Sequence, residues 1–123
     1  MRRWAERIAL AVIVAGFGYG AATHGLDYLR FGFAPYQFGP AAFNLFWNSL
    51  VLLDAAVVAL LLAGWRRCGL LLGLAVMVTD VAVNSYAWLV LEIGHMALGV
   101  PFQAAFLGFL LGAAPFLWSR PTR

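Results

Sequence analysis

The feature that most constrains this chain is a set of four long stretches in which charged side chains are almost absent. The first and last contain no charge, and the second and third contain one acid each, Asp54 and Asp80. An α-helix rises about 1.5 Å per residue, so about 20 apolar residues cross a hydrocarbon core of about 30 Å. The pattern predicts an all-α fold, an integral membrane four-helix bundle in a single domain, with helices at about 4–28, 43–65, 69–91 and 101–118.

The composition excludes an ordinary water-soluble domain. Hydrophobic residues make up 64% of the chain and charged residues only 11%, whereas a soluble domain is about 45–50% apolar and about 25% charged. The arginines lie in short clusters between apolar runs, which does not predict binding to nucleic acid. The single cysteine, Cys68, excludes an internal disulfide and a CxxC redox pair.

Few residues of the chain are of the kinds that bind metals or cofactors. Its two histidines, His24 and His95, both lie near one predicted membrane surface, so a haem held between two histidines is not expected. No HExxH motif, glycine-rich phosphate loop or GxSxG motif is present. A zinc site would need more histidines, cysteines or clustered acids. The sequence therefore predicts no metal site and no cofactor.

Tryptophans and arginines mark the ends of the predicted spans. Indole rings favour the membrane–water interface, and all five tryptophans fall near a predicted helix end, with Trp47 and Trp65 at the two ends of the second helix. Positive charge favours the cytoplasmic side. With four spans, only Arg30 lies opposite the other seven arginines, which are Arg2, Arg3, Arg7, Arg66, Arg67, Arg120 and Arg123. We therefore expect an up-down-up-down protein of the cell (inner) membrane with both termini cytoplasmic.

The first stretch also has some features of a cleavable signal peptide. It begins with basic residues and contains small residues from Gly20 to Ala22. Trp4 and Glu6 fit the start of a signal peptide poorly, and the apolar stretch is long for one. We expect the segment to remain as the first helix.

The connection over residues 31–42 is rich in glycine, proline and aromatic residues. Its two prolines, Pro35 and Pro40, exclude a continuous helix. We expect this segment to lie on the outer interface or to cap the bundle.

Small residues recur at every fourth position in two of the helices. Helices in lipid associate through small residues and interhelical hydrogen bonds, because lipid provides no hydrophobic drive. We expect these faces to pack against each other or against a partner in a homo- or hetero-oligomer. The faces consist of Gly16, Gly20 and His24 in the first helix, and of Ala104, Gly108 and Gly112 in the fourth.

The two interior acids are the strongest indication of a site. A charged Asp at the bilayer centre costs about 2.5–3.5 kcal/mol on the insertion scale, so such residues face the bundle interior. If the hairpin between them is centred near residue 66 or 67, Asp54 and Asp80 lie within about one residue of the same depth. Two adjacent carboxyls in a medium of low dielectric are not both ionised, so at least one is expected to be protonated.

Further polar residues extend this site toward the outer surface. Asn84 lies one turn from Asp80 on the same face, and Trp47 lies two turns from Asp54. The predicted site is a polar seam of Asp27, His24, Asn48, Asn84, Asp80 and Asp54, with Trp47 beside it. His24 and Asp27 are expected to form an Asp–His pair or to close the mouth of a cavity.

Three functions from different classes fit this pattern. In the first, the bundle holds a cavity that binds a small apolar or cationic ligand, or a proton. In the second, the protein is a structural or accessory subunit of a membrane complex, and the acids are interhelical hydrogen-bond partners. In the third, the protein is an isomerase or cyclase for a lipid-soluble substrate, with Asp54 and Asp80 as its acid–base pair.

Overall fold

The structure is a computed structural model that describes residues 1–119. Within that range all regular secondary structure is helical, and each helix is long and apolar enough to cross a membrane. This confirms the predicted all-α, four-helix membrane architecture. Arg120 and Arg123, which the predicted orientation uses, lie outside the described residues. The helices are α1 (Arg2–Phe31), α2 (Ala41–Leu62), α3 (Arg66–Leu89) and α4 (Met96–Trp118).

The helix boundaries differ most from the prediction at α4. This helix begins at Met96 rather than near residue 101, and both Pro101 and Pro115 lie inside it. A proline removes one backbone donor, but membrane helices tolerate it because neighbouring groups satisfy the freed carbonyl. Pro101 is therefore an interior residue of α4 and not its first residue.

Two glycines with positive φ end the first two helices. Gly32 has a φ of 87°, and its N–H donates to the carbonyl of Tyr28 at the end of α1. Gly64 has a φ of 85° in the turn between α2 and α3. A residue with a Cβ adopts this conformation only at an energetic cost, so glycine at both positions allows the chain to reverse directly after a helix.

Neighbouring helices run antiparallel to each other. In each pair, contacts near the start of one helix involve residues near the end of the other. This produces the up-down-up-down topology, with residues 32–40 and 90–95 at one end of the bundle (the loop end) and the N-terminus and residues 63–65 at the other (the terminal end). The contacts that define the pairing are Trp47–Asn84 and Val57–Gly73 for α2–α3, Tyr28–Asn48 and Gly20–Asp54 for α1–α2, Asn84–Gln103 and Arg67–Trp118 for α3–α4, and Gly16–Phe106 and Arg2–Phe116 for α1–α4.

The terminal half of the bundle has a dry apolar core. The side chains at its centre have no exposure to solvent, whereas many large apolar side chains on the outside are exposed and face the predicted lipid. Phe17 of α1 packs edge-to-face on Phe106 of α4, with 5.4 Å between the ring centroids. The fully enclosed residues of this core are Ile13, Val57, Leu70, Leu110 and Leu117.

The two faces of small residues do not pack against each other as expected. A Cβ at Gly16 would clash with the Phe106 ring, and a Cβ at Gly20 would clash with the Asp54 carboxyl. The α1 glycines therefore make room for large side chains of α4 and α2. On α4, Gly108 and Gly112 have no atom within 4 Å of a built Cβ, so this face remains exposed.

Residues 32–40 fold over the loop end of the bundle. The Phe38 ring lies 4.9 Å from Trp47 and 4.8 Å from His95, measured between ring centroids. The side-chain amide of Asn44 accepts from the Gly39 N–H and donates to the Gly39 carbonyl. The segment thus caps the bundle, which is one of the two arrangements that its composition predicts.

The packing at Gly73 predicts a large effect of a bulky residue there. A Cβ at Gly73 would lie 3.1 Å from the Phe17 ring and 3.4 Å from Val57, so Gly73→Leu should overpack the core and lower the free energy of unfolding by about 1–3 kcal/mol. Gly112→Leu is the matched control, since its side chain would enter open space. Unfolding in mixed micelles measures both. Equal stability of the two variants would contradict the packing described for α1, α2 and α3.

Candidate functional site

A cavity of about 550 Å³ lies between the helices in the loop half of the bundle. Its apolar wall consists of Phe17, Tyr19, Met77, Phe102 and Phe106. Its polar wall consists of Thr23, His24, Asp54, Asp80 and Gln103. Tyr19 and Phe102 are 75% and 80% exposed, so the cavity opens between α1 and α4 on the side that would face lipid.

Asp54 is buried beside α1, and its carboxyl faces the cavity. The residue is 6% exposed, and its Oδ2 lies so close to Gly20 that a larger residue at position 20 would clash with it. His24 lies beside the carboxyl, with Nε2 3.9 Å from Asp54 Oδ2. Within residues 1–119 the Asp54 carboxyl makes no hydrogen bond. Its hydrogen-bonding capacity therefore remains open to the cavity.

Asp80 belongs to a network that joins three helices. Asn84 Nδ2 donates to Asp80 Oδ1 at 3.0 Å and to Gln103 Oε1 at 2.9 Å, and Trp47 Nε1 donates to Asn84 Oδ1 at 2.7 Å. Asn84 is 4% exposed, so its amide group uses both of its hydrogens and its oxygen inside the bundle. The network fixes α2, α3 and α4 relative to one another and holds Asp80 at the cavity wall.

The two acids face the same cavity, but they do not lie at the same depth. Leu61 packs on Gly69 and Val57 on Gly73, so the hairpin is centred at residue 65 rather than at 66 or 67. Asp54 therefore lies roughly 6 Å, slightly more than one turn, closer to the terminal end than Asp80. The expected alignment within one residue is wrong, because a small error in the centre of a helical hairpin is doubled in the offset between its two helices.

His24 and Asp27 are connected through a third residue, Tyr36. The Tyr36 hydroxyl donates to Asp27 Oδ2, and His24 Nδ1 lies 2.7 Å from the same hydroxyl oxygen. The hydroxyl has one hydrogen, and Asp27 accepts it, so His24 Nδ1 must carry the proton of the second hydrogen bond. This leaves Nε2 of a neutral His24 as an acceptor that faces Asp54.

Burial raises the pKa of the Tyr36 hydroxyl well above its ordinary value, and its hydrogen bond to Asp27 raises the pKa further. Both effects favour the neutral phenol, because the charged form would lose solvation and lie beside a carboxylate. Tyr36 therefore stays a hydrogen-bond donor to Asp27 throughout the physiological pH range.

Four of the predicted site residues lie outside the cavity wall. Asn48 holds the cap in place, since its amide oxygen accepts from the Tyr36 N–H at 3.0 Å and its nitrogen donates to the Tyr36 carbonyl at 2.9 Å. Trp47 and Asn84 lie behind Asp80 as its supports, and Asp27 lies behind Tyr36. The expected continuous seam is thus two separate networks, one of which ends at Asp80 and the other at Asp54.

Sequence reasoning did not identify Gln103, Tyr36 or Glu6 as important. Gln103 is a lone amide in an uncharged span, and Tyr36 is one of several aromatics in a loop. Glu6 is 5% exposed, with Oε1 3.9 Å from Arg2 Nε. A single polar residue in an apolar helix was a usable signal for Gln103, whereas the position of Tyr36 depends on how the cap folds.

Within residues 1–119, no three or more His, Cys, Asp or Glu side chains are grouped so that they could hold a metal ion. The chemistry available at the cavity is thus that of two carboxyls, an imidazole and an amide beside aromatic rings. Comparison of the chain with protein-family models, with curated proteins and with solved structures finds no match.

The network at Asn84 predicts a specific loss of stability. Asn84→Ala leaves the Trp47 indole N–H without its buried partner and should lower the free energy of unfolding by about 1–3 kcal/mol. Thr79→Ala on the same helix is the control, because the Thr79 hydroxyl only bonds Ala75 of its own helix on an exposed face. Denaturant unfolding in micelles measures both variants. A fall in stability for Thr79→Ala as large as that for Asn84→Ala would contradict the network.

The raised pKa of Tyr36 predicts a loss of stability in alkali. Its pKa in the folded protein lies above the ordinary value of 10.0, so the unfolded chain releases this proton at lower pH than the folded one. The contribution is fully present below pH 10 and is lost as the pH rises through the folded pKa. Tyr36→Phe should make unfolding less sensitive to alkali, as followed by circular dichroism. An unchanged slope of stability against pH would show that Tyr36 is not protected.

Proposed function

We propose that the protein binds a small lipophilic cation in the cavity between its helices. The observation that carries the proposal is that two carboxyl side chains, on residues 6% and 7% exposed, face one cavity. Intramembrane acids mark binding sites or ion pathways by default. Within residues 1–119 neither Asp54 nor Asp80 has an arginine partner. A bound cation would supply the missing positive charge.

The walls of the cavity support a ligand with an apolar body. Aromatic faces attract cations through their negative electrostatic surface, and Phe17, Phe102 and Phe106 line the same cavity as the carboxyls. A volume of about 550 Å³ lies within the range of about 300–1,000 Å³ that is usual for small-molecule sites. An apolar body against the rings and a positive group at Asp54 match this arrangement.

The position of the opening supports entry from the bilayer. Tyr19 and Phe102 flank the gap between α1 and α4 and are largely exposed. A ligand dissolved in lipid would meet these rings before it meets the acids. The arginine distribution further leads us to propose that the termini are cytoplasmic, which places the cavity in the outer half of the inner membrane.

A second candidate is acid–base catalysis on a lipid-soluble substrate. The observation that favours it is the unequal surroundings of the two acids, since Asp80 accepts a hydrogen bond from Asn84 and Asp54 accepts none within residues 1–119. In catalytic pairs of carboxyls, unequal surroundings make one group the proton donor and the other the proton acceptor. Turnover of a lipid that is abolished by both Asp54→Asn and Asp80→Asn would favour this candidate over simple binding.

The binding proposal is tested with tetraphenylphosphonium on the purified protein in nanodiscs. Asp54→Asn should weaken its affinity by about tenfold or more, which is about 1.4 kcal/mol, because the amide keeps the shape of the side chain and removes its charge. Asp80→Asn should weaken it as well. The neutral analogue tetraphenylmethane should bind equally to all variants, since it has neither a charge nor a hydrogen-bonding group for the carboxyls to contact.

Glu92→Gln is the matched control, since Glu92 is an exposed carboxylate in the connection between α3 and α4. The affinity of the Glu92→Gln variant for tetraphenylphosphonium should equal that of the unchanged protein. The proposal is overturned if the cation does not bind, or if both aspartate variants bind it as tightly as Glu92→Gln does.

A further inference from the structure

We propose that Asp27, Tyr36, His24 and Asp54 form a path that carries a proton between the loop end of the bundle and the cavity. The path exists without any ligand. Its coupling to the exchange of a cation at Asp54 rests on the function proposed above.

The contacts follow one another in a single line from the surface inward. Asp27 lies one turn from the end of α1 and accepts from the Tyr36 hydroxyl. The same hydroxyl oxygen lies 2.7 Å from His24 Nδ1, and His24 Nε2 lies 3.9 Å from Asp54 Oδ2. The two ring nitrogens of one imidazole thus face the two halves of the path. This is the geometry in which a histidine passes a proton through its ring.

The hydrogen count places one exchangeable proton between His24 and Asp54. Nδ1 donates to Tyr36, so a neutral His24 has a bare Nε2. A bare Nε2 and an ionised Asp54 would be two acceptors that face each other at 3.9 Å and repel each other. One of the pair therefore carries a proton, either Asp54 as a carboxylic acid or His24 as an imidazolium. Closing the 3.9 Å gap by about 1 Å gives an ordinary hydrogen bond.

Outward transfer conserves every proton along the path. The Asp54 O–H bond breaks and an N–H bond forms at His24 Nε2, while the Nδ1–H bond breaks and its proton passes to the Tyr36 oxygen. The former hydroxyl proton of Tyr36 passes to Asp27. Asp54 is then ionised and Asp27 neutral, and the net result is one proton moved from the cavity to the loop end. A carboxylate left at Asp54 is the form that would bind a cation.

The titratable groups around His24 are those of the path and two residues of the same cavity wall, Tyr19 of α1 and Asp80. Asp27 belongs to its own helix, Tyr36 to the cap and Asp54 to α2. From α3, Asp80 lines the same cavity, and α4 contributes Gln103, which does not titrate. No arginine belongs to this cavity wall. Carboxyl side chains thus lie on both sides of the His24 ring, with Asp27 beyond Tyr36 and Asp54 facing Nε2.

The path leads to one end of the bundle only. Between Asp54 and Glu6, the buried carboxyl near the terminal end, the bundle interior is a layer of apolar side chains that includes Ile13, Val57 and Leu70, all with no exposure. A proton has no hydrogen-bonding group to follow through this layer. Asp54 therefore exchanges protons with the side of the membrane at which Asp27 and Tyr36 lie.

The test follows the carboxyl of Asp54 by infrared spectroscopy on the full chain in nanodiscs, without ligand. The C=O stretch of protonated Asp54 is assigned by its loss in Asp54→Asn, and its relaxation is measured after a jump in pH. Tyr36→Phe should slow this relaxation by about a hundredfold, the lower end of what a positioned proton-transfer group contributes. His24→Gln should slow it as well.

Tyr28→Phe is the matched control. The Tyr28 hydroxyl lies at the same end of the bundle but donates to the backbone carbonyl of Asn48, so its loss should leave the relaxation rate unchanged. If Tyr36→Phe does not fold, Asp27→Asn tests the same path at its outer end. The proposal is overturned if Tyr36→Phe or Asp27→Asn relaxes as fast as Tyr28→Phe, or if no carboxyl band is lost in Asp54→Asn at any pH.

This outcome is separable from that of the binding proposal. Tetraphenylphosphonium that binds to a protein whose relaxation is unaffected by Tyr36→Phe would overturn the path and leave the binding site. A slowed relaxation in a protein that does not bind the cation would overturn the binding site and leave the path. If both hold, binding of the cation should release a proton, and Asp54→Asn should abolish that release.

Discussion

A carboxyl group inside a bilayer needs either hydrogen-bond partners or a polar space, because the hydrocarbon offers neither. The two interior acids of this bundle meet that requirement differently. Asp80 is held by the Asn84 amide, which Trp47 and Gln103 hold in turn. Asp54 makes no such bond within residues 1–119 and instead faces the cavity beside His24. One acid therefore stabilises the helix packing, and the other remains available for chemistry.

The position of the cavity follows from the pattern of contacts between the helices. The Asn84 network joins α2, α3 and α4, and Tyr28 and Asn48 tie α1 to α2 at the loop end. Between α1 and α4, the large Phe106 side chain fits over Gly16, and α4 contributes the rings of Phe102 and Phe106 to the wall of this gap. These rings, unlike a seam of small residues on both helices, hold the backbones of α1 and α4 apart. Space therefore remains in front of Asp54 and Asp80.

Properties that depend on one helix at a time were predictable from the sequence. The spans, the burial of Asp54 and Asp80, and the hydrogen bond between Asp80 and Asn84 one turn apart all follow from length, cost of burial and helical period. The positions of helices and loops relative to one another were not predictable, because they depend on the geometry of the turns. Because the hairpin is centred one to two residues earlier than expected, the two acids lie at different depths. The fold of the cap places Tyr36 between His24 and Asp27.

The sealed terminal half limits what this conformation does. The proposed ligand and proton would reach Asp54 from the gap between α1 and α4 or from the loop end, while the layer that includes Val57, Leu70 and Leu117 has no exposure. Passage to the other side would require these side chains to separate, and close-packed cores rearrange between discrete states rather than deform gradually. In this state the proposed binding site is therefore open to one side only, and transport would need a second packing of α1 against the other helices.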